Sequence, residues 1–325
     1  MSAPSSLNQT PQTGVRFIFV GPYGIRAGWR LLIFAAMMGI PFGGLYWIGK
    51  VYGNAGAQPI QVTAGLTIVG ECFSFLFILF VSWLMTLIEG RKIADYGLPI
   101  RKAFGKEFWQ GAVIGFAAMT VLLAMLRLAG VFSFGAIGLH GATLAEYAVL
   151  WAVAFLFVGF NEEFLFRGYA QFTATTGIGF WPAAILLSAA FGAVHLGNGG
   201  EDWIGALSVF GSGLLFCLIL RRTGSLWMPI GFHMAWDWAE TFFYGVPDSG
   251  LSAPGHMLNP NFHGPKLLTG GTVGPEGSVL VFVILALCWL FFHLWLPEAK
   301  YPNPASLVPK PHRTSTPEAA SSLSV

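Results

Sequence analysis

Charge is what this chain has least of. Only 10% of its 325 residues are Asp, Glu, Lys or Arg, against about 25% in an average soluble domain. A net charge of +2 is too small to argue for nucleic acid or an acidic macromolecule as a partner. Cysteine is scarce as well. Cys72, Cys217 and Cys288 all fall inside apolar runs with no short spacing, which excludes a disulfide framework and a thiolate zinc cluster. No His-Glu-x-x-His string occurs, so zinc proteases of that type are excluded. No internal repeat stands out, and nothing resembles the inverted halves of many transporters. The first 27 residues lack a basic start leading directly into an apolar core, so a cleaved signal peptide is not expected.

What the chain has instead is apolar surface. Hydrophobic residues make up 55% of it, with thirty Phe and twelve Trp. Windows long enough to cross hydrocarbon, about 20 residues at 1.5 Å each, recur near 29–49, 64–88, 108–131, 143–172, 182–198, 203–221, 225–245 and 279–297. Lys and Arg test this map independently, because cytoplasmic loops collect them. With the N-terminus inside, thirteen basic residues reach the cytoplasmic side: Arg16, Arg26, Arg30, Arg91, Lys92, Arg101, Lys102, Lys106, Arg221, Arg222, Lys300, Lys310 and Arg313. Only Lys50 and Lys266 reach the other side, while Arg127 and Arg167 fall within spans. The expectation is an all-α, polytopic transmembrane helix bundle of about eight spans with both termini cytoplasmic. Residues 1–27 form a polar N-terminal segment and 28–298 the transmembrane domain, with its motif core at 145–245. Residues 246–278, rich in Gly and Pro, read as a long irregular external loop, and 299–325 as a disordered cytoplasmic tail.

Against that background three polar islands stand out. The first is Asn161-Glu162-Glu163-Phe164-Leu165-Phe166-Arg167. Ionisable groups are expensive within a bilayer, so such a cluster reads as functional by default. Glu163 and Arg167 are four apart and share a helix face, as an ion pair does. Glu162 sits ~100° around the helix, free to face a substrate or water. The second island, Phe191-Gly192-Ala193-Val194-His195, ends an apolar helix before a Gly-rich turn. The third, His233-Met234-Ala235-Trp236-Asp237, places a His and an Asp on one face, able to bind a metal or to act on one another. Each has a bland reading: a packing network, a capping His, an interfacial pair among Trp227, Trp236 and Trp238. Three on consecutive segments are harder to dismiss. Glu71 and Glu146 have no evident partner in the sequence and read as packing groups or secondary cavity residues; Arg127 reads as snorkelling, His293 as interfacial, and His140, His256 and His263 as solvated loop residues.

In this order and on these segments, Glu162-Glu163-x-x-x-Arg167, Phe191-x-x-x-His195 and His233-x-x-x-Asp237 resemble the motifs of the CAAX-protease and bacteriocin-processing family of intramembrane proteases. Arg222-Thr223-Gly224-Ser225-Leu226-Trp227 adds to the likeness, which is close over about 145–245. The resemblance implies an eight-helix membrane bundle in a bacterial cytoplasmic membrane, surrounded by lipid and acting on a peptide or membrane-protein substrate. It also implies that Glu162 and His195 activate a water, that His233 and Asp237 steady the carbonyl oxygen, and that Glu163 and Arg167 support them. One divalent, zinc-like metal on Glu162, His195, His233 and Asp237 is compatible with it; so is chemistry by glutamate and histidine alone.

The last motif position carries a further expectation. Asp237 cannot donate a hydrogen bond to an oxyanion unless it is protonated, so it is expected to orient or charge His233 and not to touch the substrate oxygen. Rival readings are a serine protease built on Gly211-Ser212-Gly213, a proton-coupled transporter pathway and a non-catalytic membrane scaffold.

Overall fold

The computed structural model describes residues 14–21, 24–52 and 62–302, without the side chains of Arg16, Phe42 and residues 44–52. The polar segment before residue 14, the tail from 303 with Lys310 and Arg313, and the side chain of Lys50 lie outside the described residues. The fold is mostly helical. Its principal helices are α1 (Ala27–Tyr52), α2 (Ala64–Glu89), α3 (Lys106–Leu128), α4 (Gly141–Glu163), α5 (Gln171–Ile178), α6 (Phe180–His195), α7 (Trp203–Thr223), α8 (Trp227–Trp238) and α9 (Leu280–Trp295). Every apolar window read from the sequence falls on one of these helices. Four stretches are long and apolar enough to cross a membrane: Ala64–Glu89, Lys106–Leu128, Gly141–Ile178 and Trp203–Thr223. Ala27–Pro41, Phe180–His195 and Leu280–Trp295 are shorter apolar helices.

Local chemistry sets the helix ends. Thr63 caps α2 by accepting from the Leu66 amide, and Asp202 caps α7 by accepting from Ile204 and Gly205. Gly224, at φ 68°, closes α7 in the left-handed conformation that a side chain resists, and the chain turns at once into α8. Two helices continue as π-helical turns, Phe164–Ala170 after α4 and Ala239–Tyr244 after α8.

Some of the basic residues of the expected cytoplasmic side are tied into the fold by direct contacts. Arg30 and Arg91 both pair with Glu89, at 2.6 and 3.7 Å, and Tyr96 and Tyr169 donate to the same carboxylate. Lys300 donates its amide to the Arg221 carbonyl, and Leu226 donates to Gly97. Arg30 is therefore a buried structural cation.

The fold departs from expectation in two ways. The fold is not purely helical: a ribbon pairs β1 (Phe132–Ile137) antiparallel to β2 (Leu258–Phe262), with a bulge between Ser133 and Ala136. Nor is 246–278 an irregular loop. It contains β2, a short helix at Lys266–Thr269 and a Gly-rich turn ending at Gly277. It is tied down by hydrogen bonds from Met257 to the Phe242 carbonyl and from Gly250 to the Val273 carbonyl. Composition alone hid this, because the pairing partner of β2 lies in a distant connection.

Helix α8, which carries the third island, is seated on α3 backbone to backbone. A Cβ on Gly111 would lie 2.1 Å from the Met228 carbonyl oxygen, on Gly115 2.2 Å from that of Phe232, and on Gly231 2.1 Å from that of Phe108. Gly111 and Gly115 have the small-x-x-x-small spacing that lets membrane helices approach closely. Gly231→Ala should therefore lower the thermal midpoint of the detergent-purified protein, an overpacking cost of about 1–3 kcal/mol. Gly65→Ala, where the added methyl meets nothing within 4 Å, should leave it unchanged or slightly raised. Equal midpoints for the two variants would refute the close seating of α8.

Candidate active site

Glu162 and Glu163 end α4, where the helix widens into the π-helical turn and Gly168 leaves helical conformation at φ −83°, ψ −115°. A Cβ at Gly168 would sit 2.7 Å from the Phe164 ring, so the break needs a glycine. Such π-turns recur at functional sites because they re-aim neighbouring side chains. Arg167, 1% exposed, donates from Nη1 to Glu163 Oε1 at 3.0 Å, the ion pair expected from their spacing. Its guanidinium lies 4.1 Å from the centroid of the Phe191 ring. Gly213 makes room for it: a Cβ there would stand 2.5 Å from Arg167 Nη2. The small residues of 211–213 thus accommodate a buried guanidinium. Ser212 lines the cavity described below, but no hydrogen bond links it to a base.

His233 is the centre of the cluster. Its Nδ1 bonds to Glu163 Oε1 at 3.1 Å, so one carboxylate oxygen serves Arg167 and His233 together. Its Nε2 lies 3.6 Å from Glu162 Oε2 and 3.6 Å from Asp237 Oδ2. The ring is further held by Phe216, stacked at 5.3 Å. This revises one expectation. The hydrogen bond that orients His233 comes from Glu163, while Asp237 stands beyond hydrogen-bond range and contributes charge.

His195, the last residue of α6, engages the Phe191 carbonyl through Nδ1 at 2.9 Å. A carbonyl only accepts, so Nδ1 carries the proton and Nε2 is left with a lone pair. His195 shares a cavity of about 460 Å³ with Glu162, His233 and Asp237, a volume in the range of small-molecule and peptide side-chain sites. No hydrogen bond links His195 to Glu162 in this arrangement. The structure therefore brings Glu162, Glu163, Arg167, His233 and Asp237 into one network and places His195 on the same cavity wall.

The donor set suits a divalent ion in one respect. Glu162 Oε2 is buried without a hydrogen-bond partner beside an imidazole nitrogen, the kind of orphaned oxygen that a cation or a water satisfies. In spacing it does not: no three of Glu162, His195, His233 and Asp237 bring ligand atoms within 4.8 Å of one another.

Other acids line the cavity: Glu71 takes the secondary cavity place that is one of its two readings, whereas Asp248 and Glu276 were not legible as site residues. Glu71, which has no evident partner in the sequence, accepts a short hydrogen bond from Asn161 Nδ2 and lines the cavity. Asp248 and Glu276, both from 246–278, also line it. Burial, and then Glu276 beside it, push the Asp248 carboxyl up to about 8. The only hint in the sequence is that these acids occur at all in so acid-poor a chain. Glu146, Arg127 and His293 are exposed and lie off the cavity lining. His140 and His263 are exposed as expected, whereas half-buried His256 bonds to Asn259 Oδ1 through Nε2 at 3.1 Å.

Neither a curated protein nor a solved structure matches the chain. Residues 144–239 match the family model for the type II CAAX prenyl endopeptidase Rce1-like group. That segment holds Glu162, Glu163, Arg167, His195, His233 and Asp237 and stops one residue short of Glu240. Over those residues the chain is similar to the CAAX prenyl endopeptidase family, and its apolar helices support an integral membrane protein.

Proposed function

We propose that the chain is an intramembrane endopeptidase that hydrolyses a peptide bond in a membrane-associated or prenylated substrate. The observation that carries this reading is the buried relay Arg167–Glu163–His233 opening onto a cavity that also holds Glu162 and His195. The accompanying topology has eight crossings with both termini on the basic side, in a bacterial cytoplasmic membrane.

In this mechanism a water bound between Glu162 and the free Nε2 of His195 loses its proton to Glu162 as it attacks the carbonyl carbon. His233, oriented by Glu163, donates from Nε2 to the developing oxyanion. Arg167 neutralises Glu163, so that this carboxylate orients the ring without becoming a second base. Glu162 then returns its proton to the leaving amine, and the peptide bond breaks. Asp237 faces His233 Nε2 and balances its charge.

Three substitutions separate these roles. Glu162→Gln keeps the shape of the side chain but removes the base, and cleavage of peptides by the folded variant should fall about 10²–10⁴-fold. Retained cleavage would end the proposal. Glu163→Gln should lower both activity and thermal stability, since it strands a buried guanidinium at a cost of about 3–5 kcal/mol. An unchanged melting midpoint would show that the pair contributes nothing to the fold. Asp237→Asn should leave the fold intact and displace the pH profile of cleavage. A superimposable profile with full activity would remove Asp237 from the charge balance of His233.

A further inference from the structure

Beyond the matched segment, three acids converge from three parts of the chain. Glu240 is the second residue of the π-helical turn, three residues after Asp237; Asp248 lies in the turn that follows, and Glu276 sits in the Gly-rich turn before α9. One carboxylate oxygen from each lies within 4.8 Å of the other two, the one group of three among the described residues that meets metal-ligand spacing. Glu240 is fully buried, and neither of its carboxylate oxygens has a hydrogen bond of good geometry among the described residues; the Trp236 Nε1–H that comes near it is given to Glu276. None of the three forms an ion pair with Lys, Arg or His among the described residues.

The surroundings hold two of the acids in place. Glu276 accepts from Trp236 Nε1 at 2.8 Å and from Ser249 Oγ at 2.6 Å. Asp248 accepts from Thr241 Oγ1 at 3.1 Å. The turn bearing Glu276 is interlocked with the turn bearing Asp248. Gly250 donates to the Val273 carbonyl, and a Cβ on Gly274, at φ 96°, would lie 2.1 Å from the Pro247 carbonyl oxygen. Two carboxylates are thus positioned by neutral donors while the third stays unsatisfied at their centre.

We propose that Glu240, Asp248 and Glu276 form a binding site for a hard divalent cation of the calcium class. The ligands are all oxygen, with no imidazole or thiolate, which selects calcium, manganese or magnesium over zinc. Asp248 and Glu276 line the cavity, so waters from it can complete the coordination shell. The ion joins the end of the α8 extension to both turns of 246–278, pinning that segment along the cavity wall beside Asp237. This site is distinct from the set around His233 and does not depend on the chain being a protease.

The test uses the full chain, purified in detergent and stripped of metal with a chelator. Mn²⁺ uptake is followed by loss of the free-ion electron paramagnetic resonance signal, with Ca²⁺ as competitor. The expected result is saturable uptake that Ca²⁺ displaces, weakened about tenfold or more in both Glu240→Gln and Glu276→Gln, and preserved in Glu162→Gln. Ca²⁺ should also raise the thermal midpoint of the wild type but not of Glu276→Gln. No uptake by folded wild type at millimolar Mn²⁺ would overturn the proposal and leave protons as the neutralising species. Uptake lost in Glu162→Gln but kept in Glu240→Gln would overturn it too, by assigning the ion to the His233 cluster.

Discussion

The buried ion pair between Arg167 and Glu163 is the constraint on which this structure turns. Both side chains are removed from solvent, at 1% and 0% exposure, within a protein whose outer surface faces lipid. Desolvating two charges is unfavourable unless their geometry is good and their remaining polar atoms find partners. Here the partners are specific. One oxygen of Glu163 serves Arg167 and His233 together, and the guanidinium face rests on the Phe191 ring. Phe191 and His195 are one helical turn apart, and the Phe191 carbonyl engages His195 Nδ1. The pair therefore links all three polar islands: its own, the aromatic end of α6, and the ring of His233.

Close helix approach is what lets such a network exist in so thin a bundle. Glycines 111, 115 and 231 bring α8 onto α3, and Gly213 clears space for the guanidinium. The π-helical widening after Glu163, with its break at Gly168, belongs to the same economy of space. A regular helix hides its backbone groups fully, which hydrocarbon requires. Departures from regularity are tolerated where protein surrounds them, and Arg167, Gly168, Tyr169 and Ala170 are all buried.

Much of this was legible in the sequence, for a physical reason. Hydrocarbon imposes length and composition on each segment by itself, so apolar windows such as 64–88 and 203–221 mark α2 and α7 closely. The Glu163–Arg167 pair was legible because both residues sit on one helix face. What was not legible depends on contacts between distant segments. The strand Leu258–Phe262 is defined by its pairing with Phe132–Ile137; its five residues alternate in burial, but a run so short, with Pro260 at its centre, does not announce a strand by itself. Trp238 ends a regular helix only because the next turn widens around Glu240. The hydrogen bond from His233 to Glu163, in place of a bond to Asp237, follows from how α4 and α8 face each other.

The charge balance of the cavity divides it into two unlike regions. Glu71, Glu162, Asp237, Asp248 and Glu276 line it against two imidazoles. Near His233 the negative charge has nearby compensation, from Arg167 through Glu163 and from the ring itself. Towards 246–278 neither Asp248 nor Glu276 has an ion-pair partner among the described residues, and at the separations seen there like charges repel strongly in a low-dielectric interior. A fold that gathers acids in this way must take up protons or a cation. The two outcomes have different consequences for the chemistry. Protons would leave a neutral wall whose state follows the pH of the medium. A divalent cation would cut the charge of the three carboxylates from −3 to a net −1, easing the repulsion they exert on Asp237. The acidic wall and the His233 relay are thus electrostatically coupled through Asp237, the residue that stands between them.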